Sequence, residues 1–168
     1  LNQAVGLRLQ GNTARAERIK RFTVVARAEY SGSDTFQAPL YEGVTTHAVM
    51  LKSYFPDTLV SRLVENRSVA VQRSIPVRVF LNGEFLYDSY MLERYDKQYF
   101  RQHYNVDRFI LVKDGAVHDE DISSTDNIHY QEYMGWISDT DFSDPQEWAA
   151  FQEQTDVQSY IDYIVTNY

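Results

Sequence analysis

Hydrophobic and polar positions alternate with period two through the first part of the chain and recur at helical spacing near its end. "VGLRLQG" is a short alternating run that stops at Gly11. After the polar turn "GNTARAERIK" comes "RFTVVARAEY", where Phe22, Val24, Ala26, Ala28 and Tyr30 hold one phase and Thr23, Arg27 and Glu29 the other. That is a strand pattern. "SGSD" at 31–34 reads as a turn, and "VMLKSYF" at 49–55 as a further strand. From about Thr58 the spacing of Leu59, Leu63 and Val64 predicts a helix. It fades before Pro76, which biases Ile75 towards extended backbone.

Asn82-Gly83 between two alternating runs predicts a hairpin, because a type I′ turn needs positive φ at both central residues. Pairing across it puts Arg78 opposite Tyr87 and Val79 opposite Leu86. One face then carries Val77, Val79, Leu81, Leu86, Tyr90 and Leu92, and the other Phe80, Phe85, Tyr87 and Met91. With both faces apolar, the hairpin is expected to be covered on two sides. It runs into the charge cluster Glu93-Arg94-Tyr95-Asp96-Lys97, where Asp96 can cap a helix holding Tyr99, Phe100 and His103. "VKDGAVHDEDISSTDN" reads as a polar connector. "SDPQEW" places Asp144 at an N-cap, Pro145 at the first helical position and Glu147 as the return arm of a capping box. Val157, Tyr160, Ile161, Ile164, Val165 and Tyr168 form one stripe, expected to face the core. The expected class is α+β: an antiparallel sheet with an inserted helix, followed by helices.

The chain has 168 residues, one domain's worth, and enough to bury about two thirds of its unfolded surface. Its 13 Tyr and 9 Phe favour clefts and half-wet surfaces. A net charge of −8 argues against nucleic acid as the main partner. With no cysteine there are no disulfides, Cys-held zinc or thiol nucleophiles, and the compartment stays open. No apolar run reaches the roughly 18 residues of a membrane span, and no segment reads as a signal peptide. The opening "LNQAVGLRLQG" reads as the approach to a strand and the closing "YIDYIVTNY" as mid-helix, so both ends are expected to be cut from something longer.

Chemistry concentrates in "GNTARAERIKRF". A Gly-led turn exposes backbone N–H groups, and Arg15, Arg18, Lys20 and Arg21 crowd into it. Such a cluster can hold phosphate oxygens. Lys20 shares its phase with Phe22 and Val24, so an early strand start would aim it at a covered face or a cleft. On spacing alone the favoured reading is a solvated basic turn, with Lys20 reaching along the strand end to water. There is no Walker-type G-x-x-x-x-G-K-[ST]. The histidines at 47, 103, 118 and 129 lack metal-ligand spacing. His118 with Asp119, Glu120 and Asp121 reads as a solvated acidic loop. "DTDFSD" at 139–144 opens like a calcium loop but lacks its central Gly and terminal Glu, and helix capping accounts for Asp144.

Three segments, "GLRLQGNTARAERIKRF", "VENRSVAVQRSIPVRVFLNGEFLYDSYMLERYDKQYFRQHYNV" and "TDVQSYIDYIVTNY", resemble the spore coat protein H (CotH) kinase-like family in sequence and in order. The resemblance implies an atypical protein-kinase fold that uses ATP and a divalent metal, Mg or Mn, to phosphorylate Ser or Thr. It implies coat or surface proteins as substrates or partners, and a location in the spore coat, secreted or on the surface of a bacterium. Residues 1–95 would be the small β-lobe and 96–168 the beginning of the helical lobe. Lys20 matches the family's lysine after the turn and takes a nucleotide-phosphate role. Gly11, Asn12 and Arg15 match the turn itself, and Glu93 the acidic residue at the lobe junction, which either touches nucleotide or holds the crossing. By analogy with kinases, Glu65 on the inserted helix would pair with Lys20. Two positions depart from the family pattern: Ala14 stands where Ser is usual, and Leu86-Tyr87 where an aromatic-Gly pair is usual. The family's metal-binding aspartates would follow the last helix, beyond Tyr168, so this polypeptide alone is expected to be catalytically silent. A non-catalytic scaffold of a coat or surface assembly, and an extracellular carbohydrate-binding or adhesion module, are the alternatives.

Overall fold

The computed structural model describes residues 2–11, 13–16, 18–53, 55–117 and 124–167, with backbone alone at 13, 14, 57 and 124–127. Asn12, the side chain of Ala14, the acidic stretch His118–Asp121 and Tyr168 lie outside the described residues. The chain divides into two compact units, Leu1–Asn105 and Val106–Tyr168.

The first unit is built on β1 (Gly6–Leu9), β2 (Phe22–Val25), β3 (Ala48–Lys52), β4 (Ser74–Leu81) and β5 (Glu84–Glu93). These make one antiparallel sheet in the order β1-β2-β3-β5-β4. The short helix α1 (Ala28–Ser31) follows β2, and α2 (Phe55–Leu63) is inserted between β3 and β4. The expected strand at 49–55 is shorter at its end, because α2 already begins at Phe55.

Opposed residues share a face, so Thr23, Ala48, Met50, Lys52, Tyr90, Leu92 and Ser74 point one way. The helix α2 belongs to this face: the Phe55 ring meets the Tyr90 ring at 6.2 Å, and Arg62 donates to the Ser74 carbonyl at 3.3 Å. The core gathers at one end of the sheet, around Leu92, Ala48 and Val49.

The β4–β5 turn is as the sequence predicts, with Asn82 and Gly83 at φ 53° and 85°. Its register is not. Leu81 pairs with Glu84 and Phe80 with Phe85, but a bulge then places Val79 opposite Tyr87 and Arg78 opposite Asp88. An extra residue in one strand moves everything beyond it by one place. Tyr90 and Leu92 therefore face the Arg78 side, and Tyr87 and Met91 the Val79 side, the reverse of the alternation. Nor is the hairpin covered on two sides. β3 pairs with β5 only from Tyr90 to Glu93, so the distal part is a two-stranded arm. At its tip Phe80 and Phe85 are 58% and 55% exposed and meet edge-on at 5.7 Å.

After the sheet, α3 (Lys97–Tyr104) is capped by Asp96, whose side chain accepts from the N–H groups of Gln98 and Tyr99. Asn105, at φ 54°, ends the helix in the left-handed region.

The second unit begins with a small hairpin, β6 (Val112–Lys113) and β7 (Ala116–Val117), where a polar connector was expected. Asp114-Gly115 turns it with φ of 53° and 75°. Helices α4 (Ser124–Asp139), α5 (Pro145–Gln154) and α6 (Val157–Asn167) follow. Phe142 meets Trp136 at 5.8 Å and Phe151 at 5.0 Å, and the Tyr133 hydroxyl lies 2.6 Å from that of Thr155. Asp144 caps α5 through Gln146 N–H as expected, but the return arm of the capping box is not formed. The Asp144 N–H goes to the Asp141 carbonyl instead. The stripe on α6 is inverted relative to expectation. Asp162 is buried, whereas Tyr160, Ile161, Ile164 and Val165 are exposed, Tyr160 by 61%. Local bonds make this tolerable: Gln158 donates to the Asp162 carboxylate at 3.1 Å and the Thr166 hydroxyl to its carbonyl at 2.6 Å.

Candidate functional site

The basic turn between β1 and β2 has a closed neck. Gln10 N–H donates to the Arg21 carbonyl at 2.9 Å, extending the ladder, and Gln10 Nε2 donates to the buried Thr23 hydroxyl at 2.9 Å. Gly11 then leaves the strand at φ 79°, a backbone glycine adopts without the Cβ penalty. A 3-10 turn covers Thr13–Ala16. Arg15 and Arg18 are exposed and Lys20 is half-buried. Lys20 Nζ donates to the Arg15 carbonyl at 2.6 Å, and the Tyr87 hydroxyl donates to the Lys20 carbonyl at 2.8 Å. Two acceptors that would repel an anion are thus occupied, while the cationic side chains remain on the turn. Gly11, Arg15 and Lys20 come together here.

Glu93 lies at the other end of the sheet, opposite Val49, which in turn lies opposite Val24. It is 4% exposed, and both its oxygens are engaged. Oε1 is 3.1 Å from His103 Nε2, and Oε2 accepts from Arg73 Nε at 3.2 Å and from the Arg73 N–H at 3.3 Å. The Glu93 carbonyl accepts from Gln72 Nε2 at 2.8 Å. Arg73 also donates to the Glu42 carbonyl and lies over the Tyr41 ring, 6.0 Å from its centroid. His103 Nε2 must carry a proton to serve Glu93, so its 3.4 Å approach to Arg73 is a contact between donors. Glu93 joins the residue preceding β4 to the last turn of α3. Within the charge cluster that ends the hairpin it is a buried tie.

Asp96 is the second tie. His47 Nε2 lies 3.1 Å and Arg94 Nε 3.7 Å from its Oδ2. Burial pushes this carboxyl up, but His47, the Tyr99 amide and Arg94 outweigh it and hold it below the usual range. Its contribution to stability is therefore full above the ordinary carboxylate value of about 3.9 and lost as the pH falls through the lower folded value. Gln102 pairs with both backbone groups of Thr45, at 2.9 and 2.7 Å. The Tyr99 hydroxyl donates to the Val71 carbonyl, and burial pushes that phenol up to about 12. Between these ties is a shallow, solvent-open polar pocket of about 20 Å³, lined in part by Thr46, His47, Asp96, Gln98 and Gln102. The buried Thr46 hydroxyl there has no hydrogen-bond partner.

The pairing of Glu65 with Lys20 is not formed, and Glu65 is not on the inserted helix: it lies in the turn just after α2, 3.5 Å from Arg62 of that helix. The residue that sequence reasoning passed over is Lys52, which closes β3 on the face where α2 packs, opposite Tyr90. The phase it shares with Met50 was the available signal. Asp141 and Asp144 spend carboxylate oxygens on the N–H groups of Ser143 and Gln146, as turn and cap residues do. The Ser143 hydrogen bonds hold Asp141 below the usual carboxylate range. Among the described residues, no three His, Asp or Glu side chains are placed to hold a metal.

No curated protein and no solved structure matches the chain. The family model described as CotH kinase protein matches residues 7–168. With essentially its whole length inside that match, the chain belongs to the CotH kinase family.

Proposed function

We propose that residues 1–95 are the small β-lobe of a CotH-type atypical protein kinase, with α3 held against it, and that the later helices begin the large lobe. The whole domain would transfer phosphate from ATP to Ser or Thr of coat or surface proteins, in a spore coat or at a bacterial surface. The observation that carries the reading is the closed basic turn, with cations displayed and carbonyls occupied, at one end of a sheet whose other end holds a polar pocket. Four strand residues at about 3.3 Å each separate the two ends by about 13 Å, so an extended nucleotide could lie along β2 with its phosphates at the turn. In protein kinases a glycine-containing loop covers the phosphates, and a lysine on the third strand precedes a helix. Here Gly11 opens the loop, Lys52 closes β3 and α2 follows it.

Lys20, Arg15 and the turn's N–H groups would receive the phosphates, as charge-assisted donors do. A divalent metal would neutralise phosphate charge during transfer, and none of the described residues is assigned to it. Titration calorimetry of MgATP into the native chain, Lys20→Ala and Lys52→Ala tests the reading. Removing a charge-assisted bond is expected to weaken binding about tenfold or more in Lys20→Ala. Equal affinity in Lys20→Ala would overturn the role of Lys20, and a loss confined to Lys52→Ala would transfer it to Lys52. No binding by the native chain would overturn the nucleotide reading.

A further inference from the structure

We propose that Tyr87 is a positioning residue: its hydroxyl, brought round by the β-bulge, fixes the carbonyl of Lys20 and so sets where the cationic end of the basic turn stands. The consequence for binding rests on the nucleotide reading above, whereas the anchoring itself does not.

Two strand registers meet at this residue. Counted from the Asn82-Gly83 turn, alternation would put Tyr87 opposite Arg78. Counted back from Glu93, it falls on the face of Ser89 and Met91, which is the face of Leu51 and Phe22. The bulge reconciles them, placing Tyr87 opposite Val79. Re-aiming one side chain without giving up the rest of a hairpin is what such bulges do. Lys20, two residues before Phe22, lies on the approach to that same face.

Tyr87 belongs to the arm of β5 that β3 does not reach, yet it is only 9% exposed. Its exposed neighbours Phe85 and Leu86 show how uncovered the arm otherwise is. What Tyr87 meets there is the chain entering β2: its hydroxyl reaches the Lys20 carbonyl at 2.8 Å, across 67 positions of sequence. Burial pushes the phenol above its ordinary value, so it stays a donor at neutral pH.

Gln10 closes the neck through Arg21 and Thr23. Lys20 Nζ folds back on Arg15, a bond that an incoming anion would compete for. The Tyr87 bond holds the main chain of Lys20 without using its ammonium. It therefore persists when the ammonium turns to a ligand, and a turn already placed loses less freedom on binding.

The test is Tyr87→Phe, which keeps the buried ring and removes only the hydroxyl, with MgATP as the probe. Amide hydrogen exchange is expected to speed up at Arg18–Arg21 and stay unchanged in β3 and along Tyr90–Glu93, with the melting temperature preserved. MgATP should bind about fivefold more weakly, the cost of re-fixing roughly one residue of loosened main chain on binding. A purely structural role would instead lower the melting temperature and speed exchange throughout the sheet, and that result overturns the proposal. So does unchanged exchange at Arg18–Arg21, or unchanged affinity where the native chain binds. If the native chain binds no MgATP, the nucleotide reading and the binding consequence fall together. Local exchange then still decides the anchoring, and the two failures are told apart.

Discussion

Replacing Leu92 by Ala is expected to cost about 3 kcal/mol and to lower the melting temperature by roughly 10 °C. Leu92 is 1% exposed, the largest fully buried side chain among the described residues. It sits in β5 between Met50 of β3 and Ser74 of β4, on the face where α2 packs. Close-packed surroundings relax little, so truncation removes both transfer energy and contacts along the walls of the cavity. Leu81→Ala makes the matched comparison, because the same change at a 51% exposed position on the hairpin tip should stay within about 0.5 kcal/mol. Urea unfolding of both variants checks this. Equal losses would contradict a core gathered at the Glu93 end of the sheet.

Arg73→Ala is expected to be about as damaging, at roughly 3 kcal/mol, although Arg73 is itself only half-buried. The cost comes from what it leaves behind. Glu93 would remain buried with only His103 against Oε1, and Oε2 would keep the Arg73 backbone N–H but lose the guanidinium. A buried carboxylate stripped of its main counter-charge is far less favourable than one that was never there. Glu93→Ala combined with Arg73→Ala should therefore cost clearly less than the sum of the two single changes. This cycle separates the pair from the other contacts of Arg73, with the Glu42 carbonyl and the Tyr41 ring. Additive losses would mean that Glu93 does not depend on Arg73.

The features legible in the sequence are those whose cause is local. Asn82-Gly83 fixes its own turn, and Asp96 and Asp144 reach N–H groups within a few residues. The inserted helix follows from spacing alone, and so do Phe22–Val25 of the strand pattern read as far as Tyr30, whose last residues form α1 instead. The bulge beyond Phe80 is not visible this way, because alternation carries no record of an inserted residue. The small hairpin at Asp114-Gly115 was missed as a polar connector, because strands of two residues are too short to show a pattern.

At the site, the gathering of Gly11, Arg15 and Lys20 was readable as a turn between strands. The partners that give Glu93 its role were not, since Arg73 and His103 approach it only once β4 and α3 are in place. Lys20 likewise acquires its main-chain anchor from Tyr87, a residue that sequence comparison marks only as a departure. The apolar stripe of α6 was read correctly as a stripe and wrongly as buried. Periodicity shows that a helix has two faces, and burial depends on which of them its neighbours cover.

The central claim is that the sheet of the first unit receives a nucleotide with its phosphates at the basic turn. Backbone amide shifts recorded by NMR while MgATP is added test it residue by residue. The account predicts that the shifts concentrate between Gln10 and Thr23 and along β3 to Lys52, and that in Lys20→Ala they need about tenfold more MgATP to develop at the turn. Shifts confined to Val106–Tyr168, or none at saturating MgATP, would contradict it.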